Sequence, residues 1–535
     1  MPLQNGRYAF STPASLAEGW SLERITQPSR LFGANGMSTG ADGRIYVAQV
    51  SGSQISAIDV DSGLVETISP QGGDIVAPDD LVFDADGNMY ITEITEGRVT
   101  KRDTKGRCTV LQSDMPCANP ITVHQGRLFA GECRPGGRLM ELNPNGGIIR
   151  VLHDNVPMPN AMQVGPDGKL YFPVMGANEI WRISLDGGEP EKVAENLGVP
   201  DSVKFDAQGF IISTQVASGQ VLRIDPATGK STVLATIAPG LDNVTFVGER
   251  IFVSSISGQI NEVLADGKTN PLVPDGLNWP LGLAMAEDGN LFVADGGFTY
   301  LLQPDGSLQC IGMLFSPGFP GYTRGVVTAG AGEFVVTTAN GAVARWNPAK
   351  QEHEVLADGF DRLYGVALTA NGGAIVAEAG TGRVLSVKGA NVEVLATELS
   401  EPMGVALTSS GDCLVSEEKA GRVVKITAGG TETVLDGLQM PQGILVQGDK
   451  LFVLDVGLKE LIEFNMASGA RTTIATDLPI GAPQGITPKT LGPIGVLSGP
   501  MGPFADITAG PDGTLYISAD AEGSVMALRP SQAAI

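Results

Sequence analysis

Val156–Phe172 reads VPMPNAMQVGPDGKLYF. A polar residue, Asn160, follows a proline. An apolar run leads from it to Pro166-Asp167-Gly168, and a second apolar run follows the turn. Two short apolar runs joined by Asp-Gly predict an antiparallel strand pair, because Asp and Gly supply the backbone conformations that a tight turn needs. Variants of this unit recur along the chain. Anchored on the turn, they fall at Asp42, Asp86, Gln125, Asp167, Gln208, Gly248, Asp288, Ala331, Asn371, Gly411, Gly448 and Asp512. The first ten steps span 37 to 44 residues and the last spans 64.

Each unit has room for four strands. In the second, LVFDA leads into the turn DADGN, NMYITEI alternates as a half-buried strand does, and GRVTKRD and RCTVLQS supply two more. Four strands per repeat of about 40 residues define the blades of a β-propeller. The expected fold is therefore all-β, a β-propeller with twelve four-stranded blades. Two six-bladed propellers in tandem are expected because propellers usually have four to eight blades, with a single twelve-bladed ring as the alternative.

The twelfth unit, ADITAGPDGTLYISADAEGSVMALRP, stops after its third strand, and WSLERITQ (Trp20–Gln27) reads as a strand without a unit. Residues 1–29 are thus expected to carry a strand, about 20–27, that closes the last blade and removes an exposed edge. Residues 30–280 should form the first propeller and 281–535 the second. Within the second, the Pro- and Gly-rich run at 477–504 should be a loop lying over one face.

Of 535 residues, 35 are Lys or Arg and 59 Asp or Glu, a formal net charge of −24 that would repel phosphate backbones and anionic lipid surfaces. No apolar run reaches the length of a membrane span. These features predict a small-molecule partner and neither nucleic acid nor membrane; the oligomeric state is left open. The first twenty residues have no basic region followed by an apolar core, and the five scattered Cys suggest no disulfide framework, which together predict a cytoplasmic location. Whether Cys117 and Cys133, in one repeat, pair is left open.

In a propeller the first strand of each blade lines the central channel, and its first residue sits at the mouth. In the first six units this position holds Asn35, Asp79, Asn119, Asn160, Asp201 and Asp242. In the second six it holds Leu281, Arg324, Tyr364, Met403, Gln442 and Ala505. Six oxygen-bearing side chains converging on one axis, three of them acidic, would repel one another and resist burial unless a cation joined them. Oxygen donors without Cys or His suit a divalent metal, Ca²⁺ first, with Mg²⁺, Mn²⁺ or Zn²⁺ as alternatives. If Asn and Asp served only as turn residues, the second six units should carry them equally, and they do not. Asp295, Glu378, Glu417 and Asp455, at the ends of second strands in the later units, are expected to make turn hydrogen bonds. Glu93 and Glu132 end second strands in the first six and are candidates for binding a substrate hydroxyl, with Asn35 and Asp242 as further substrate-binding candidates. His153, seven residues before Asn160, is the one His placed to act as a second base.

The stretches PNAMQVGPDGKLYF, VPDSVKFDAQGFIIS, GQVLRIDPATGK and NPITVHQGRLFAG resemble the regucalcin/gluconolactonase (senescence marker protein) family of six-bladed propellers. A more distant similarity links them to paraoxonases and strictosidine synthases. The resemblance to the metal site covers about the first 280 residues. It implies a metal-ligand Asn at Asn160, a ligand Asp with a general-base role at Asp201, and an Asn at Asn119 that contacts substrate or water and joins the candidate metal set. The family's Glu at the start of the first blade has no counterpart, since Ala34 and Asn35 stand there. Asp79 is our candidate for the missing carboxylate.

The resemblance implies a metal-dependent, lactonase-type hydrolase of a lactone or related cyclic ester. The metal would polarise the carbonyl, and Asp201 would direct the attacking water. No Gly-x-Ser-x-Gly nucleophile motif stands out. A metal-dependent lyase, isomerase or hydratase acting on a cyclic small molecule is one alternative, and a non-catalytic scaffold for protein binding is another.

Overall fold

A computed structural model of the chain describes residue 7 and residues 13–531. Its ordered elements are strands and two single-turn 3₁₀ segments, Met175–Ala177 and Pro348–Lys350; no α-helix occurs among the described residues. The strands form a β-propeller architecture of twelve blades, eleven of four strands and one of five.

The blade containing the diagnostic stretch shows why this sequence folds so. Asp167 Oδ1 accepts the Lys169 amide at 3.1 Å and Asp167 Oδ2 accepts the Tyr171 hydroxyl at 2.9 Å. Gly168 adopts φ +75°, which a β-carbon would disfavour. The turn thereby sets Gln163–Val164 antiparallel to Lys169–Val174, which continues to Glu179–Ser184 and Glu191–Ala194. Inner and middle strands are buried, and outer strands are largely exposed. The core lies between the faces of successive blades. Phe129 and Leu139 of the third blade pack with Met162, Leu170 and Phe172 of the fourth. Tyr171 and Ile180 then pack with Val203, Ile211 and Leu222 of the fifth.

The chain divides into two compact units. The first contains Arg30–Asp275 together with Ile486–Val496. The second contains Met1–Ser29, Gly276–Gly485 and Leu497–Ile535. The division at 275 lies five residues before the expected 280. The segment 477–504 is shared, its middle belonging to the first unit.

In the first unit the sixth blade meets the first: Phe252, Ile260 and Val273 pack with Met37, Ile45 and Ile58, and Thr39 Oγ1 donates to the Phe246 carbonyl at 2.7 Å. In the second unit the Asp506 carboxylate accepts the Leu283 amide at 3.1 Å, joining its last blade to its first. Trp20–Arg24 pairs antiparallel with Ser524–Pro530, and Arg24 forms a 2.7 Å ion pair with buried Glu522. Ser15–Leu16 adds a fifth strand beside Arg471–Thr476, which the sequence pattern does not predict.

The channel-lining strands of the two units differ in one register. After its mouth residue the second unit carries Gly282, Gly325, Gly365, Gly404, Gly443 and Asp506. A β-carbon on the first five would collide with the Arg324, Tyr364, Met403, Gln442 and Ala505 carbonyl oxygens, each on the next inner strand. These glycines let backbones approach closely. The first unit keeps this approach only at Gly36, against the Asp79 carbonyl, and has Asp80, Pro120, Ala161, Ser202 and Asn243 at the other five positions.

Candidate active site

The six mouth residues of the first unit, Asn35, Asp79, Asn119, Asn160, Asp201 and Asp242, are all buried. Asp79, Asn119, Asp201 and Asp242 are the second residues of their inner strands, and Asn35 and Asn160 lie shortly before theirs. Two neighbouring pairs around the ring touch. Asn35 Nδ2 donates to Asp242 Oδ2 at 3.1 Å, and Asn160 Nδ2 donates to Asp201 Oδ2 at 3.0 Å. Asn160 Nδ2 also lies 3.1 Å from Met175 Sδ, and its Oδ1 accepts the Ala161 amide at 2.8 Å. Asn119 is fixed through its backbone, whose carbonyl accepts Thr92 Oγ1 at 2.7 Å. Among the described residues no donor is placed on the Asp79 carboxylate.

The electrostatics are those of crowded acids. Burial, then Asp242 and Asp80, hold the Asp79 carboxyl well above the usual carboxylate range. Burial, then Asp242, Asp79 and Asp80, do the same to Asp201. Burial pushes Asp242 up to about 8 despite its bond from Asn35. Two groups that the motif reasoning passed over complete the channel. Asp80 bonds the Leu81 and Ile121 amides, and burial raises it to about 6. Lys204 opposes that rise, and its own ammonium is depressed by burial. The doublet Asp79-Asp80 and a Lys in the inner strand PDSVKF were the readable signals. Lys204 thus offsets Asp80 among the four acids.

Sulfur lines the same mouth. Cys133, buried and raised well above the usual thiol range by desolvation, feels Asp201, Asp79, Cys117 and Asp242. Its Sγ lies 3.9 Å from Met175 Sδ. Cys117 and Cys133 are adjacent across two strands, the Cys133 amide donating to the Cys117 carbonyl at 2.8 Å, and both thiols are free. Residues 486–496 lie against these loops. A β-carbon on Gly495 would stand 3.0 Å from Cys117 Sγ, one on Gly492 would stand 3.0 Å from the Thr95 carbonyl, and Ile486 approaches Gly72.

Three expected site residues do not join the ring. His153 lies in Ile148–Val156, the outermost strand of its blade, opposite Leu139 and three strands away from Asn119. Glu93 is saturated: it accepts the Val76 amide at 2.7 Å, Arg98 at 2.6 and 2.9 Å, and the Thr100 hydroxyl. Glu132 is held by Arg134 at 2.8 Å and by Arg138. Both occupy the register in which Asp295 accepts the Asn278 amide, Glu417 the Ser400 amide and Asp455 the Gln439 amide. In Glu93, Asp295, Glu417 and Asp455 the carboxylate ties the loop entering the inner strand, and in Glu132 it is held by two arginines.

The donor set fits a hard cation in chemistry: three carboxylates and three carboxamides with a large deficit of positive charge. No group of three or more His, Cys, Asp or Glu side chains is drawn together closely enough to hold one ion among the described residues. Ligation of one ion would require these side chains to draw closer together.

An all-β propeller with a polar ring at the mouth of its first six blades is the class of protein that these features define. Residues 23–257 match the family model described as SMP-30/Gluconolactonase/LRE-like region, the same part of the chain that carries the resemblance. No curated protein matches the chain. Similar solved structures include a streptogramin B lyase, 20% identical over 52% of this chain and 97% of that one, with a TM-score of 0.39. A virginiamycin B lyase from Staphylococcus aureus is 17% identical over 52% and 96%, with a TM-score of 0.39. A candidate gluconolactonase is 17% identical over 48% and 94%, with a TM-score of 0.39. No helix of the described residues is long and apolar enough to cross a membrane.

Proposed function

We propose that the chain is two six-bladed propellers in tandem and that the first is a metal-dependent hydrolase of a lactone or related cyclic ester. The observation that carries this reading is the set of buried acids Asp79, Asp201 and Asp242, raised by burial and by neighbouring acids, with Asp201 held by Asn160 and Asp242 by Asn35. A site with that charge deficit is unfavourable by itself and favourable around a divalent cation, Ca²⁺ being the best match to all-oxygen donors. Asn160, Asp201, Asn119 and Asp79 would hold the ion. When bound, it supplies Lewis-acid polarisation of the ester carbonyl and depresses the carboxyl groups facing it.

The chain's own residues do the rest. Asn160 Nδ2 orients Asp201 Oδ2. Asp201 takes a proton from water as the water oxygen attacks the carbonyl carbon. The ring C–O bond then breaks, and the leaving alkoxide recovers a proton to give the hydroxy acid. Cys117, Cys133 and Met175, with 486–496 against them, give the mouth an apolar, sulfur-rich wall that limits water.

The test is metal content by elemental analysis, with melting before and after chelation, on the wild type and Asp201→Ala. The expected result is about one divalent ion per chain. The ion should be lost on chelation and in the variant, and lactone-panel activity should be lost with it. Absence of an ion, with melting indifferent to added Ca²⁺, would overturn the mechanism. Conversion of a cyclic substrate without uptake of water would replace hydrolysis by lyase or isomerase chemistry at the same ring.

A further inference from the structure

The second unit presents the opposite charge problem at its own mouth. Where the first has Asp79, the second has Arg324, only 1% exposed and among the largest fully buried side chains in the molecule. A buried guanidinium normally sits on a carboxylate, because moving an unpaired charge out of water costs several kcal/mol. Among the described residues Arg324 forms no ion pair. Its Nη1 donates to the Gly502 carbonyl at 3.3 Å, its carbon lies 5.2 Å from the centre of the Trp279 ring, and Nη2 has no partner. Burial lowers its basicity, with Tyr364 and Tyr322 opposing.

The acids near this mouth are engaged elsewhere. Glu418 accepts Gln442 Nε2 at 2.9 Å. Glu401 pairs with Arg362 at 3.3 Å and Lys419 at 2.8 Å. Asp506 accepts the Leu283 and Ile507 amides.

Above the ring runs 497–505. Gly499 donates its amide to Asn340 Oδ1 at 2.7 Å, and Ala505 donates its amide to Gln442 Oε1 at 2.7 Å. Phe504 packs 5.6 Å, centre to centre, from Tyr364. A second polar group on this strap, Ser498 Oγ, is also buried without a partner. A buried, fully charged donor with an unpartnered nitrogen is what a small oxyanion would satisfy. A guanidinium offers such a group two parallel N–H bonds, and the Trp279 and Tyr364 rings exclude water around them.

We propose that the axial mouth of the second unit binds a small oxyanion, carboxylate or phosphate, on Arg324 beneath the strap 497–505. The inference stands apart from the hydrolase reading, since no residue is shared between the two sites.

The test is calorimetric titration of the full chain, in a chloride buffer, with acetate, malonate, inorganic phosphate and sulfate separately. One saturable site per chain is expected for at least one of the four. Affinity falls at least about tenfold in Arg324→Lys, which keeps the charge but loses the fork, and binding vanishes in Arg324→Met. Arg324→Met should melt no lower than wild type, because it removes an uncompensated buried charge. Selectivity between the carboxylate and phosphate arms assigns the ligand class. Saturable binding by none of the four overturns the proposal, and so does binding that survives Arg324→Met unchanged. A drop of several degrees in Arg324→Met without any anion binding would instead make Arg324 a strut between Gly502 and Trp279.

Discussion

Asp506 shows how much a single buried carboxylate can set. It stands in the register filled by glycine on the other five inner strands of its unit, and it spans from its own strand to Leu283 on the next. Burial nonetheless raises it to about 7. The folded state therefore binds this proton more tightly than the unfolded chain. The stabilisation is full below pH 4 and is lost as pH rises through 7. Asn243, in the same register of the first unit, makes the equivalent bond to the Val244 amide at 2.9 Å without a charge. Asp506→Asn should therefore flatten the decline in stability between pH 5 and pH 8, by about 2–4 kcal/mol at the upper end. Urea melts at the two pH values measure it, and an unchanged slope would place the charge elsewhere. Residue roles of this kind were only partly legible. Asn160, Asp201 and the other mouth positions could be found by counting back from the turn. Glu93 and Glu132 could not be separated from site residues, because their arginine partners lie two to six residues on and only folding shows that the carboxylates are filled.

At the scale of the element, the blade was readable because its cause is local: a glycine turn, Asp-Gly in five units, and alternation of period two recur along the chain. The glycine at the second channel position has a non-local cause. Nothing in the sequence near Gly325 announces the Tyr364 carbonyl, 39 residues further along the chain, that leaves no room for a β-carbon. Gly325→Ala should cost about 3 kcal/mol or more, since a rigid backbone atom and not a flexible side chain must give way. The control is Gly372→Ala, at a turn where a β-carbon meets nothing within 4 Å and the φ of +79° alone costs about 1 kcal/mol. Denaturant melts of the two variants should differ in that order; equal losses would mean that the inner strands can move apart at little cost. The strand Ser15–Leu16 and the division of 477–504 between two units were illegible for a related reason, as neither has a periodic pattern and both are placed by what they land on.

For the whole molecule, the repeat gave twelve blades, and the mouth residues divided them six and six by chemistry before any contact was known. That chemical asymmetry makes a prediction about dynamics. If a divalent cation binds the acids of the first unit, it cross-links inner strands of four successive blades there and none in the second. Hydrogen exchange should then respond in one unit only, because a ligand protects what it holds closed. With Ca²⁺ added to chelator-treated protein, amides of Pro78–Phe83, Ala118–His124, Gln163–Val164 and Pro200–Phe205 should slow by at least about tenfold. Those of Pro280–Met285, Leu363–Leu368 and Pro402–Leu407 should not change. Residues 486–496 should follow the first unit despite lying between two strands of the second in chain order, since their contacts are with Gly72, Thr95 and Cys117. Peptide-level exchange by mass spectrometry separates all of these. Protection spread evenly over both units would mean that the ion acts on the acidic surface as a whole, and the ring of Asn and Asp would then have no claim to it.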